Sequence, residues 1–338
     1  MKQVYRHYQE FELESGAVLP ELEIVYHTYG TFQPEKNNVV WVFHALTANS
    51  DAADWWSGLI GENKLFNPED HFIVCANILG SCYGTTGPTS QNPYTGKPYF
   101  RAFPNITIRD MVNAHRLLQR HLGISKIKFG LGGSMGGYQL LEWLLMDDSL
   151  FENAVLLATS PKESAWGIAI HTTQRMAIES DATWEEDQPN GGRSGLMTAR
   201  GIGMLTYRNY ETFVAAQSNP DPRISDHRAE SYIRYQGEKL ANRFSAYAYH
   251  TLSKAMDTHD ISRGRHSVEE ALASIKIKTL VIGISSDILC PPAEQAFLAK
   301  HLSDARLEII DSPYGHDGFL IEFQQITSVV QRFFSTDV

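Results

Sequence analysis

Gly132-Gly133-Ser134-Met135-Gly136 fits the pattern G-x-S-x-G, with the strand-like run IKFGL before it and the helix-like run MGGYQLLEWLLM overlapping and following it. A serine on so tight a strand-to-helix turn needs glycines beside it, because side chains there would clash. The turn offers the serine Oγ to a cleft at the start of a helix, so Ser134 is the candidate nucleophile. Other glycine-rich loops fit less well. Read from Gly130, a G-x-G-x-x-G frame ends on Met135, and no Gly-Lys-Ser/Thr follows for a phosphate loop. A serine hydroxyl attacks poorly until a base takes its proton, so a histidine and a carboxylate to orient it are required. Asp287 follows the run TLVIGI, and His316 lies after LEII within Pro313-Tyr314-Gly315-His316-Asp317-Gly318. Asp311 is a competing acid, weaker because it belongs to the end of the preceding strand. A tetrahedral intermediate also needs two N–H donors. The backbone of Met135 supplies one, and Leu46, in the run His44-Ala45-Leu46-Thr47, is expected to supply the other.

Elements of the right kind surround these residues. Apolar, β-rich runs occupy 22–28, 39–44, 72–77, 126–131, 154–158, 279–284 and 307–310, the later ones of the first five reading as buried parallel strands. Residues 106–122 carry apolar side chains at helical spacing with Gly123 as a C-cap, and 293–302 reads as a second helix. Each of Ser134, Asp287 and His316 falls just beyond the C-terminal end of a strand, in the order Ser, Asp, His of the α/β-hydrolase fold. The expected architecture is thus a mostly parallel sheet from 1–160 and 275–338, with a helical cap inserted over 161–274. Helix-like aromatic segments at 207–213 and 244–249 lie within that insertion.

Composition narrows the partners. The chain has 338 residues, 43% hydrophobic and 20% charged, and no stretch near the roughly 18 unbroken apolar residues of a membrane span. Its N-terminus has scattered charges and no apolar signal core, so the cytoplasm is the expected location. A net charge of −10 argues against a nucleic-acid partner and favours small molecules. The insertion carries 13 Lys and Arg against 15 Asp and Glu, making it less acidic than the remainder. Three cysteines without CxxC spacing and thirteen histidines without HExxH suggest no disulfide framework and no metal.

Further motifs are more specific than G-x-S-x-G. They are His44-Ala45-Leu46-Thr47, the run Gly80-Ser81-Cys82-Tyr83-Gly84-Thr85-Thr86-Gly87-Pro88, Phe103-Pro104, Thr107-Ile108-Arg109-Asp110, Leu141-Glu142-Trp143, Lys254-Ala255-Met256-Asp257 and Gly315-His316-Asp317. With these, nearly the whole chain resembles the homoserine O-acyltransferases of the α/β-hydrolase superfamily, most of which are acetyltransferases of methionine biosynthesis. The resemblance implies Ser134, Asp287 and His316 as a triad and Asp317 as a substrate-binding carboxylate. It also implies Arg200 with Tyr207 as substrate-binding residues; a guanidinium fork suits an amino acid's carboxylate. It implies no bound cofactor, acetyl-CoA or another acyl-CoA as co-substrate, L-homoserine as acceptor, and a homodimer. Gly318 stands where the family commonly has alanine, and 188–195 align poorly. Acetyl and succinyl donors, and homoserine and serine acceptors, stay open, because one methylene shifts selectivity by only about 1–3 kcal/mol. A carboxylesterase using water, and a silent binding protein on the same fold, are the other readings.

Overall fold

The computed structural model describes residues 1–335. One sheet is built from β1 (Lys2–His7), β2 (Leu22–Tyr29), β3 (Val39–Phe43), β4 (Phe72–Ala76), β5 (Ile127–Gly133), β6 (Phe151–Leu157), β7 (Lys278–Ile284) and β8 (Ala305–Ile310). Its spatial order is β1-β2-β4-β3-β5-β6-β7-β8. The pairs β1–β2 and β2–β4 are antiparallel, and every pairing from β4 to β8 is parallel. Helices of seven or more residues are α1 (Ile108–His121), α2 (Met135–Asp147), α3 (Ala165–Glu179), α4 (Arg193–Tyr207), α5 (Tyr210–Gln217), α6 (Arg228–Ala241), α7 (Ala246–Asp257), α8 (Val268–Ser274), α9 (Pro292–His301) and α10 (Phe323–Phe333). No helix among the described residues is long and apolar enough to cross a membrane.

The central strands are buried on both faces, so they read as unbroken apolar runs. In β3, Val39, Trp41 and Phe43 enter one core layer while Val40 and Val42 enter the other. α1 and α2 cover the first layer, where Trp143 meets Trp41 edge to face at 5.1 Å. Truncating so deeply buried a tryptophan to alanine costs about 3–5 kcal/mol. α10 covers the second layer, placing Ile326 and Val330 with Trp56 and Phe129.

α1 starts at a capping box, in which the Thr107 hydroxyl accepts from the Asp110 N–H and the Asp110 carboxylate accepts from the Thr107 N–H. Its chain then turns out through Gly123 at φ +67°. Sequence periodicity did not reveal β1, because this edge strand alternates exposed and half-buried positions and carries charges. β6 begins at Phe151 rather than at 154. The segment 207–213 is not one helix: α4 ends at Tyr207 and α5 starts after Asn209, whose side chain accepts from the Glu211 N–H.

Between β6 and β7 the chain forms α3 to α7 and then α8. The two sides of this insertion meet where Lys162 and Asp260 form an isolated antiparallel backbone bridge and the Glu163 N–H donates to the His259 carbonyl at 2.7 Å. α8 lies beyond that closure and packs on the core helices α2 and α9, its Leu272 buried with Leu298 and Leu302.

Candidate active site

Ser134 sits between β5 and α2 at φ +55° and ψ −127°, a backbone conformation costing a non-glycine residue of order 1–3 kcal/mol. Its surroundings enforce it. The Ser134 N–H donates to the Leu157 carbonyl at 2.9 Å, and the Ser134 carbonyl accepts from the Thr159 hydroxyl at 2.9 Å. A Cβ on Gly132 would lie 2.3 Å from the Gly136 carbonyl oxygen, and one on Gly136 would lie 2.2 Å from that of Phe43. Both are backbone contacts that no side-chain rotation relieves, which is why the G-x-S-x-G glycines are required.

His316 reaches this serine from the loop after β8: its Nε2 is 2.9 Å from Ser134 Oγ and its Nδ1 is 2.7 Å from Asp287 Oδ2. Asp287 lies in the turn after β7, where its other oxygen accepts the Leu289 and Cys290 N–H groups at 2.8 and 2.9 Å. The competing acid, Asp311, accepts instead from the Ser285 hydroxyl at 3.0 Å and is exposed. Burial pushes the His316 pKa down, but the charge and hydrogen bond of Asp287 outweigh it and hold the imidazole above its ordinary 6.5. Such a chain can move a proton from a hydroxyl to an imidazole and stabilise the imidazolium that results.

Ser134 and His316 open onto a cavity of about 400 Å³, with Leu46 and Trp55 on its core side and His171, Arg200, Tyr207 and Arg243 on its cap side. Asp317 also lines it. Met135, the first residue of α2, is fully buried behind the wall; the first N–H groups of a helix have no acceptor within that helix. Arg200 and Tyr207 are two helical turns apart on one face of α4, the guanidinium lying over the ring at 5.6 Å. The Arg200 Nε is buried without a hydrogen-bond partner among the described residues. The poorly aligned stretch 188–195 forms the turn into α4, and Gly195 lets that helix approach α3: a Cβ there would be 2.4 Å from the Ala177 carbonyl oxygen.

Asp317 is not bare. Arg208 Nε lies 3.2 Å from its Oδ2, poorly aimed for a hydrogen bond, while burial raises the carboxyl pKa against the pull of Arg208, His316 and Arg200. Sequence reasoning missed Arg208, although it adjoins Tyr207. It also missed His171, whose Nδ1 is 2.8 Å from Asp257 Oδ1 with Arg175 2.6 Å from the other oxygen. The signal was Asp257 itself, the last residue of the Lys254-Ala255-Met256-Asp257 motif.

Residues 38–323 match the family model described as the alpha/beta hydrolase fold. A curated homoserine O-acetyltransferase from Cyclobacterium marinum is 49% identical over 326 residues, which is 96% of this chain and 93% of that protein. The crystal structure of a homoserine O-acetyltransferase from Staphylococcus aureus is 29% identical, with a TM-score of 0.82 over 98% of this chain and 95% of its own. A crystallised esterase superposes with a TM-score of 0.89 at 24% identity, covering 98% of this chain and 99% of its own, a likeness of fold. With an eight-stranded sheet in this order and relatives alike over nearly their full length, the chain belongs to the homoserine O-acetyltransferase family of α/β-hydrolase-fold proteins.

Proposed function

We propose that this protein transfers an acetyl group from acetyl-CoA to the hydroxyl of L-homoserine through an acyl-enzyme on Ser134. Ser134 Oγ attacks the thioester carbonyl while His316 Nε2 takes its proton, and the oxyanion is held by the N–H groups of Met135 and Leu46. The intermediate collapses, the C–S bond breaks, and the proton on His316 passes to the CoA thiolate. Homoserine then enters, its hydroxyl gives a proton to His316 and attacks the ester, and O-acetylhomoserine leaves as Ser134 is reprotonated. Asp287 keeps the imidazole oriented throughout. This product would serve methionine biosynthesis.

The observation that carries this reading is the hydrogen-bonded line Ser134–His316–Asp287 opening onto the same cavity as a half-buried arginine, Arg200, whose Nε is buried and unused among the described residues. Arg200 and Tyr207 are assigned the substrate carboxylate and Asp317 the ammonium. Water lacks both groups, so these residues give an amino acid its advantage over hydrolysis. The esterase reading keeps one supporting observation, the fold shared with a crystallised esterase. Thiol release by the purified protein, given acetyl-CoA or succinyl-CoA with homoserine, serine or no acceptor, tests the proposal. Acetyl-CoA with homoserine is expected to be fastest and to yield O-acetylhomoserine by mass spectrometry. Equal rates with and without acceptor would make the protein an esterase.

A further inference from the structure

The loop bearing Leu46 starts with a histidine whose two ring nitrogens are both engaged. His44 is fully buried. Its Nε2 is 3.1 Å from the backbone nitrogen of Ile78, which can only donate, so Nε2 accepts and the neutral ring carries its proton on Nδ1. That Nδ1 is 2.9 Å from the carbonyl oxygen of Ala45. Burial pushes the His44 pKa down to about 4, so this tautomer persists at neutral pH.

The Ala45 carbonyl and the Leu46 N–H are two ends of one planar trans peptide and point in opposite directions. We propose that His44 is a positioning residue: by holding the Ala45 carbonyl it aims the Leu46 N–H at the oxyanion formed on the substrate. The hydrogen bond to that carbonyl also polarises the peptide and strengthens its N–H as a donor. The peptide on the other side of the oxyanion is held in the same way. Its carbonyl, that of Ser134, accepts from the Thr159 hydroxyl and from the Gly137 N–H at 2.8 Å, leaving the Met135 N–H at the opposite end. Gln139 joins the two halves, since its Nε2 donates to the His44 carbonyl at 3.1 Å and to the Met135 carbonyl at 3.2 Å. The His115 Nε2 lies 3.1 Å from Gln139 Oε1 and fixes which way that amide faces. His44 and Gln139 touch no reacting atom; they set the direction and separation of two donors that do.

This inference rests on the acyl-transfer reading and is tested with the full-length protein and acetyl-CoA. The readouts are the rate of the CoA burst and the carbonyl stretch of a ¹³C-labelled acyl-enzyme. His44→Leu is expected to slow the burst about ten- to a hundredfold with little change in the KM for acetyl-CoA, as expected for a donor displaced rather than deleted. Its acyl-enzyme carbonyl should move to higher frequency, which a general loss of stability would not cause. If His44→Leu fails to fold, His44→Asn and His44→Gln decide the matter. Asn places its N–H near the position of Nδ1 and Gln near that of Nε2, so Asn should keep more activity. A His44→Leu burst and carbonyl frequency equal to wild type, or a Gln variant as active as the Asn variant, would overturn the role of His44 alone. A wild-type protein that forms no acyl-enzyme would overturn the acyl-transfer reading itself, and this inference with it.

Discussion

The two walls of the cavity are built on opposite rules. On the core side the side chains of Ser134, His316 and Asp287 are hydrogen-bonded to one another and to backbone. Asp287 accepts two backbone N–H groups and His316, and His316 in turn meets Ser134. Glycines there leave no room for a side chain. On the cap side, among the described residues, Arg200 Nε has no hydrogen-bond partner and Arg208 Nε meets Asp317 in a skewed ion pair. A saturated hydrogen-bond network holds one geometry, whereas a buried donor left open is completed by a ligand. Under the proposed function, the core would make and break bonds and the cap would choose the acceptor.

The comparison fails first if Ser134 is not the residue acylated. Ser134→Ala should lower turnover by about four to six powers of ten and abolish the acetyl mass shift after mixing with acetyl-CoA, with the fold unchanged by circular dichroism. A shift mapped to another residue would sink the assignment. Asp287→Asn should cost about 10³–10⁴ in both half-reactions, because the amide favours the wrong imidazole tautomer. Single-turnover measurement of each half-reaction checks this, and a loss confined to one would separate Asp287 from the core machinery.

Cap substitutions should divide the half-reactions. Arg200→Ala is expected to leave the CoA burst intact and raise the KM for homoserine roughly a hundredfold, the value of about 3 kcal/mol for a charge-assisted contact. Asp317→Asn should act in the same direction but less, roughly tenfold, because Arg208 already compensates part of its charge. Loss of the burst itself in either variant would place that residue with the core. The smallest effect is one of pH. His316 must be neutral to accept a proton, and Asp287 raises its pKa, so kcat/KM should fall with decreasing pH through a midpoint on the alkaline side of 6.5. His44 and His115, both held near 4 by burial, should add no limb near neutrality. A limb centred below 6.5 would mean that Asp287 does not control the imidazole.

The same contrast decides what was legible in the sequence. β3 and β4 are short apolar runs bounded by polar residues, and the nucleophile turn needs glycines wherever it occurs, so local chemistry revealed them. The strand ends carrying Asp287 and His316 followed from chain order. β1 was hidden because an edge strand exposed on alternate positions has no apolar run to betray it. The break at Arg208 and Asn209 was hidden for another reason. Gly315, at φ +64°, packs there, and a Cβ on it would lie 2.7 Å from the Tyr207 carbonyl oxygen. That is a contact over a hundred positions along the chain, which no local pattern records.

This junction has a mechanical consequence. Besides the Gly315 contact, the Thr212 hydroxyl donates to the Pro313 carbonyl at 2.8 Å and Arg208 pairs with Asp317. Three ties therefore run from the α4–α5 corner of the cap into the five residues that end at His316 and Asp317. The cap cannot swing away like a hinged door without dragging His316 off Ser134. The cap and the histidine loop should therefore melt together. In a hydrogen-exchange experiment, amides at 207–212 and 314–317 are expected to share one opening free energy, distinct from that of α6.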